Sequence, residues 1–216
     1  PTLYTCTGPH PHPNFFPKRR SSVLPKAVDE GSLLSFTATA TDADLPADTL
    51  TFSLSGTVPA GAAITAAGAF TWTPTEAQGG QGYTFDVVVT DDGAGTLSDS
   101  QSITVDVGEV NTAPVLGSIG NQSLDEKNTL TFTATATDAD IPANALTFSL
   151  DAGAPTASTI NPASGAFSWP TNEADGPGSY DITVRVTDNG TPALSGSETL
   201  TVTVNEVNVA PTAVDE

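Results

Sequence analysis

Residues 35–54 read SFTATATDADLPADTLTFSL, and residues 131–150 read TFTATATDADIPANALTFSL. The two stretches, 96 residues apart, agree at 16 of 20 positions. A phrase of that length restated once in a chain marks an internal repeat, and an internal repeat sets the architecture before any local element is assigned. With a spacing of 97, the register continues through Trp72 and Trp169, Glu76 and Glu173, Tyr83 and Tyr180, Asp91 and Asp188, Glu109 and Glu206, and Asn111 and Asn208. The expected organisation is therefore repeat 1 over 25–111, repeat 2 over 112–208 and the start of a third repeat over 209–216. Residues 1–24, rich in Pro and basic side chains and without periodicity, read as a disordered or extraneous leader.

Within each repeat the hydrophobic period is two, the mark of half-buried strands. Leu34, Phe36, Ala38 and Ala40 alternate with Ser and Thr, as do Tyr83, Phe85, Val87 and Val89, then Ile103, Val105 and Val107. Repeat 2 keeps Leu130, Phe132, Ala134 and Ala136, then Tyr180, Ile182, Val184 and Val186, then Leu200, Val202 and Val204. Short strands at LTFSL and at FTW or FSW fill the middle, between turns such as NPASG and TDNGTP. About seven strands per repeat, with no helical periodicity, predict an all-β chain of two tandem Greek-key β-sandwiches. Trp72 and Trp169, each in an alternating strand, are expected to face inward.

The charge of −19 is unevenly placed. All 25 acidic residues lie at or after Asp29, where only Lys127 and Arg185 are basic. Such a surface repels phosphate, which excludes nucleic acid and anionic headgroups as partners and leaves cations. The one cysteine, Cys6, forbids an intrachain disulfide, and His10 and His12 are the only histidines. The repeats therefore lack a Ser-His-Asp or Cys-His pair and a His/Cys zinc set. Paired carboxylates could in principle cleave glycosides, but acids that recur at a fixed offset in every repeat fit a repeated structural task better. No apolar run approaches the length of a membrane span.

TATDADLPADTLTFSL, AFTWTPTEAQGGQGYTFDVVVTDDG and SITVDVGEVNTAP occur in this order, and the run resembles the cadherin-like repeats of bacterial surface proteins, close to the Putative-Ig and dystroglycan-type variants. The resemblance covers 25–216 and implies Ca2+ at the junctions between repeats. For the junction of repeats 1 and 2 it implies Glu30, Glu76, Glu109, Asn111, Asp138, Asp140 and Asp188 as ligands. For the junction after repeat 2 it implies Glu126, Glu173, Glu206 and Asn208. Asp42, Asp44 and Asp91 would face a preceding domain. The linker EVNTAP is one residue shorter than the cadherin linker and lacks its second Asp, so one or two ions per junction are expected rather than three.

Elementary chemistry runs parallel to the resemblance. Alternate residues of an extended strand point the same way, so Asp138 and Asp140 can address one point, and calcium takes roughly six to eight oxygens. The same aspartates also suit plain Asx-type turns at strand ends, and both readings stand at this level. The expected function is a non-enzymatic, calcium-stiffened spacer or adhesion segment of an extracellular or surface-bound bacterial protein. Its partners would be neighbouring repeats and a cell-surface protein or polysaccharide. The alternative is an accessory binding module of a secreted hydrolase, recognising carbohydrate or protein through exposed tryptophans.

Overall fold

A computed structural model describes residues 25–45 and 47–212; the leader assigned to 1–24 and the last four residues of the third-repeat segment lie outside them. The described chain is all-β, with sixteen strands, two single-turn 3-10 segments and no α-helix. None of its helices is long and apolar enough to cross a membrane. It divides into two compact units. One comprises 25–28, 33–72 and 82–106, and the other comprises Asp29–Ser32, Thr73–Gln81 and 107–212.

The strands of the first unit are β1 (Lys26–Asp29), β2 (Leu34–Thr37), β3 (Thr51–Ser55), β4 (Ala63–Ile64), β5 (Ala69–Trp72), β6 (Gly82–Thr90) and β7 (Ser98–Gly108). They form one sheet in the order β1-β7-β6-β3 and a second in the order β2-β5-β4. Period-two alternation sends one set of side chains from each sheet inward, where burial removes apolar surface from water. Phe36 lies opposite Phe70 in the β2–β5 register and stacks on it with ring centroids 4.5 Å apart. Trp72, 1% exposed, meets Tyr83 edge-on at 5.1 Å, and its indole N–H donates to the Ala60 carbonyl at 3.1 Å.

The second unit repeats this plan with β8 (Val115–Leu116), β9 (Gln122–Asp125), β10 (Thr129–Thr133), β11 (Ala136–Thr137), β12 (Thr147–Leu150), β13 (Thr159–Ile160), β14 (Ala166–Pro170), β15 (Gly178–Thr187) and β16 (Ser195–Asn205). Its sheets run β12-β15-β16-β9 and β10-β14-β13, with a ribbon of β11 and β8. Ile182, Val184, Val186, Leu200, Val202 and Val204 fill the core from β15 and β16. Phe132 stacks on Phe167 at 4.4 Å, and Trp169, 1% exposed, meets Tyr180 edge-on at 4.9 Å. The Tyr180 hydroxyl donates to the Asp175 carbonyl at 2.9 Å, so its polar end is satisfied while its ring is used in packing.

One sequence expectation changes in detail. The alternating run 34–40 is not one strand: β2 stops at Thr37, and its copy breaks between β10 and β11. At the break the Ala134 N–H donates to the Gly165 carbonyl at 2.9 Å, and a Cβ on Gly165 would overlap the Ala134 carbonyl. Beyond the break the chain pairs with β8 instead, Ala136 opposite Leu116.

Candidate functional site

Strand order brings two acidic residues out side by side. β1 and β7 are neighbours in their sheet, and the residues that follow them are Glu30 and Glu109. The Glu30 N–H donates to the Gly108 carbonyl at 3.0 Å, fixing the two strand ends together. Glu76 arrives from the 3-10 turn Glu76–Gln78, which is held by the Thr75 N–H donating to Gln78 Oε1 at 2.9 Å. The three carboxylates then offer oxygens within 4.8 Å of one another, all inside the second compact unit.

Glu30 is 7% exposed. Its Oε1 accepts from the Val110 N–H at 3.1 Å, but its buried Oε2 is reached by no donor among the described residues. Burial, and then the Glu109 and Glu76 carboxylates, push the Glu30 carboxyl above its ordinary range, against the pull of the Val110 N–H. Burial, Glu76 and Asp140 push Glu109 up in the same way. Gly79 makes the approach of these groups feasible, since a Cβ there would overlap the Glu30 and Glu109 carboxylates.

Beside this trio lies a hydrogen-bonded network. Both oxygens of Asp140, a buried residue, accept from the Thr112 N–H, at 3.0 and 3.2 Å, and the Asn144 amide donates to Oδ2 at 2.5 Å. Asn144 also donates to Asn111 Oδ1 at 2.8 Å, and Asn111 in turn donates to Asp188 Oδ2 at 3.2 Å and to the Pro192 carbonyl at 2.9 Å. Burial pushes Asp188 up, but the N–H groups of Leu194 and Gly190 and the Asn111 amide outweigh it and hold the carboxyl below its ordinary range. The Ile141 N–H donates to Glu76 Oε1 at 3.0 Å, tying the network to the trio.

The Asx turns weighed at the sequence level are present. The Asp140 N–H donates to Asp138 Oδ1 at 3.0 Å, Asp44 to Asp42 Oδ1 at 2.7 Å, and Gly190 to Asp188 Oδ1 at 3.0 Å. They consume one oxygen of each aspartate. Asp138 Oδ2 remains buried with no donor, so the turn does not exhaust that side chain.

A second trio stands at the other end of the same unit. β9 and β16 pair in parallel, and Glu126 and Glu206 follow them directly. Glu173 comes from a 3-10 turn capped by Asn172, whose Oδ1 accepts from the Ala174 N–H at 2.9 Å. Glu126, Glu173 and Glu206 again bring oxygens within 4.8 Å. Glu126 is 2% exposed; its Oε1 accepts from the Val207 N–H at 3.2 Å, and its buried Oε2 has no donor among the described residues. Burial and the Glu126 and Glu173 carboxylates push Glu206 up. Asn208 is exposed.

In the first unit Asp42, Asp48 and Asp91 bring oxygens within 4.8 Å of one another, and the exposed Asp44 carboxylate acts on Asp48 alongside them. Sequence reasoning missed both Asp48 and its copy Asn144. The signal was available, because 48 and 144 form one of only four mismatched positions in the restated phrase.

The arrangement is therefore that of tandem β-sandwiches whose loop ends concentrate acceptor oxygens. The profile of the family described as Putative Ig domain matches residues 18–108 and again 113–205, and the chain belongs to that family as two tandem copies. Among solved structures it is similar to mouse Cadherin-23 EC22-24, at 21% identity and a TM-score of 0.54, covering 87% of this chain and 64% of that one. It is also similar to Drosophila N-cadherin EC1-4, at 17% identity and a TM-score of 0.56, covering 85% of this chain and 48% of that one. These likenesses establish a cadherin-like fold. No curated protein matches the chain.

Proposed function

We propose that this chain is a non-catalytic segment of an extracellular surface protein, a spacer or adhesion element whose acidic ends are ordered by Ca2+. The observation that carries the reading is the Glu30 carboxylate: buried, facing Glu76 and Glu109, and with one oxygen that no donor satisfies. A buried acceptor without a donor costs free energy, and three carboxylates at this spacing repel one another. A hard cation that binds through oxygen removes both costs. The donor set fits, since it holds only carboxylate, amide and carbonyl oxygens, and Gly79 keeps space for their approach. Glu30, Glu76 and Glu109 would hold an ion at one end, with Asp138, Asp140, Asp188 and Asn111 in support. Glu126, Glu173 and Glu206 would hold one at the other, and Asp42, Asp48 and Asp91 form the corresponding set in the first unit.

The carbohydrate-binding alternative loses its main support, because both indoles are buried in the sandwich cores and present no stacking surface. Thermal unfolding and small-angle scattering in calcium and in EDTA test the proposal. Calcium binding to the native state raises stability by about 2.7 kcal/mol at a hundredfold excess over Kd, and the scattering curve changes with it. Melting temperature and maximum dimension that are both indifferent to calcium overturn the reading.

A further inference from the structure

The two glutamate trios of the second unit are built alike but differ by one charge. Lys127 Nζ forms an ion pair with Glu173 Oε2, so the Glu126–Glu173–Glu206 trio contains a cation of its own. The copy of Lys127 in repeat 1 is Gly31, and among the described residues the Glu30–Glu76–Glu109 trio has no such partner. The backbone underlines the difference. Both residues occupy the left-handed region, φ +68° at Gly31 and +63° at Lys127, a conformation that glycine adopts freely and lysine only at a cost. A non-glycine residue kept there is a reason to look for what its side chain does.

We propose that Lys127 is a tethered counter-cation for the second trio, which stabilises that trio when it is metal-free and competes with an incoming divalent cation. The inference rests on the reading of the trios as cation sites. One observation points to a ligand here beyond the acidity of the cluster: Glu126 Oε2 is buried and reached by no donor among the described residues, the Lys127 ammonium ending on Glu173 instead. Both partners of the pair are half exposed, and an ion pair in contact with water opens at modest cost. Lys127 therefore weakens divalent binding without abolishing it. The consequence is a graded response, in which the first trio fills at low calcium and the second only at higher calcium.

The test is a calcium titration of the full 216-residue chain followed residue by residue with amide NMR. The Val110 N–H, which donates to Glu30, reports the first trio, and the Val207 N–H, which donates to Glu126, reports the second. In the wild type Val110 reaches its midpoint at lower calcium than Val207. Lys127→Gln lowers the Val207 midpoint by about two- to fivefold, the factor set by removing one solvent-exposed unit charge, and leaves Val110 unchanged; Lys127→Arg restores the wild-type order. Gly31→Lys raises the Val110 midpoint. In EDTA, Lys127→Gln melts below the wild type and Lys127→Arg does not. A Val207 midpoint unmoved by Lys127→Gln, or a shift of Val110 and Val207 together, overturns the inference while both trios still bind. If neither amide responds to calcium in any variant, the cation reading itself fails and takes the inference with it.

Discussion

Replacing Glu30 by Gln separates a cation ligand from an ordinary hydrogen-bond acceptor. The substitution keeps the shape of the side chain and the bond from the Val110 N–H to Oε1, and it supplies a donor where Oε2 now has none. It also removes one charge from two carboxylate pairs whose oxygens lie within 4.8 Å. At that distance like charges repel by about 1 kcal/mol each in bulk water and by roughly 3.5 kcal/mol at an effective dielectric of 20. Because Glu109 is exposed and Glu76 half-buried, the lower figure governs, and the relief is about 2 kcal/mol in total. In EDTA the variant therefore melts roughly 4–8 °C above the wild type. Calcium acts the other way. At a hundredfold excess over Kd the wild type gains about 2.7 kcal/mol, whereas a variant that binds about thirtyfold more weakly gains less than about 1 kcal/mol. Differential scanning calorimetry with and without calcium reads both quantities. A variant that melts below the wild type in EDTA and keeps the full calcium increment refutes the reasoning.

Three further outcomes follow from the same geometry. The folded-state values of Glu30, Glu109 and Glu206 lie above the ordinary 4.5, so their contribution is complete below that value and is lost as pH rises through the raised ones. In EDTA the melting temperature therefore falls as pH climbs from about 4.5 toward neutrality, and in saturating calcium, which needs the deprotonated carboxylates, it rises; a pH series of melts checks the sign. Asn111→Ala removes donors from Asp188 and Pro192 and an acceptor from Asn144, and denaturant unfolding should show a loss of about 1–3 kcal/mol. Phe52, Val89 and Ile103 are half-buried where their copies Phe148, Val186 and Leu200 are buried, so the first unit melts first, with Trp72 fluorescence in Trp169→Phe changing at lower temperature than Trp169 fluorescence in Trp72→Phe.

Period-two alternation and the repeat itself were enough to read two all-β sandwiches, because each inward residue recurs at a fixed offset. The same alternation places Trp72, Trp169, Phe70 and Phe167 in the cores. It could not show where a strand changes partner, since Ala134 and Ala136 continue the pattern across a break that Gly165 and β8 decide from far along the chain. At the site, Glu30, Glu76 and Glu109 were legible through their repeated offsets. Asp48 and Asn144 were not, because the eye follows what two copies share and these residues differ. Asp44 and Asn208 were carried over from the family pattern, and both are exposed, although the Asp44 carboxylate acts on Asp48 in the first-unit cluster. Lys127 read only as a scarce base; the ion pair with Glu173 depends on a left-handed backbone that sequence does not display.

The parallel pairing of β9 with β16, Gln122 opposite Val202 through Asp125 opposite Asn205, has a mechanical consequence. The strand near the entry of the second unit and the strand at its exit lie side by side and run the same way. Tension applied through the two ends of the unit pulls them in opposite senses along their length, so their ladder is loaded in shear and its bonds must fail together. An antiparallel hairpin pulled from its open end would instead unzip one bond at a time. The Asn205 amide on Asp125 Oδ1 and the Glu126 N–H on the Asn205 carbonyl extend the sheared ladder to the rim where the second glutamate trio sits. A cation held there clamps the end of that ladder, and single-molecule pulling should register it as a higher rupture force in calcium than in EDTA.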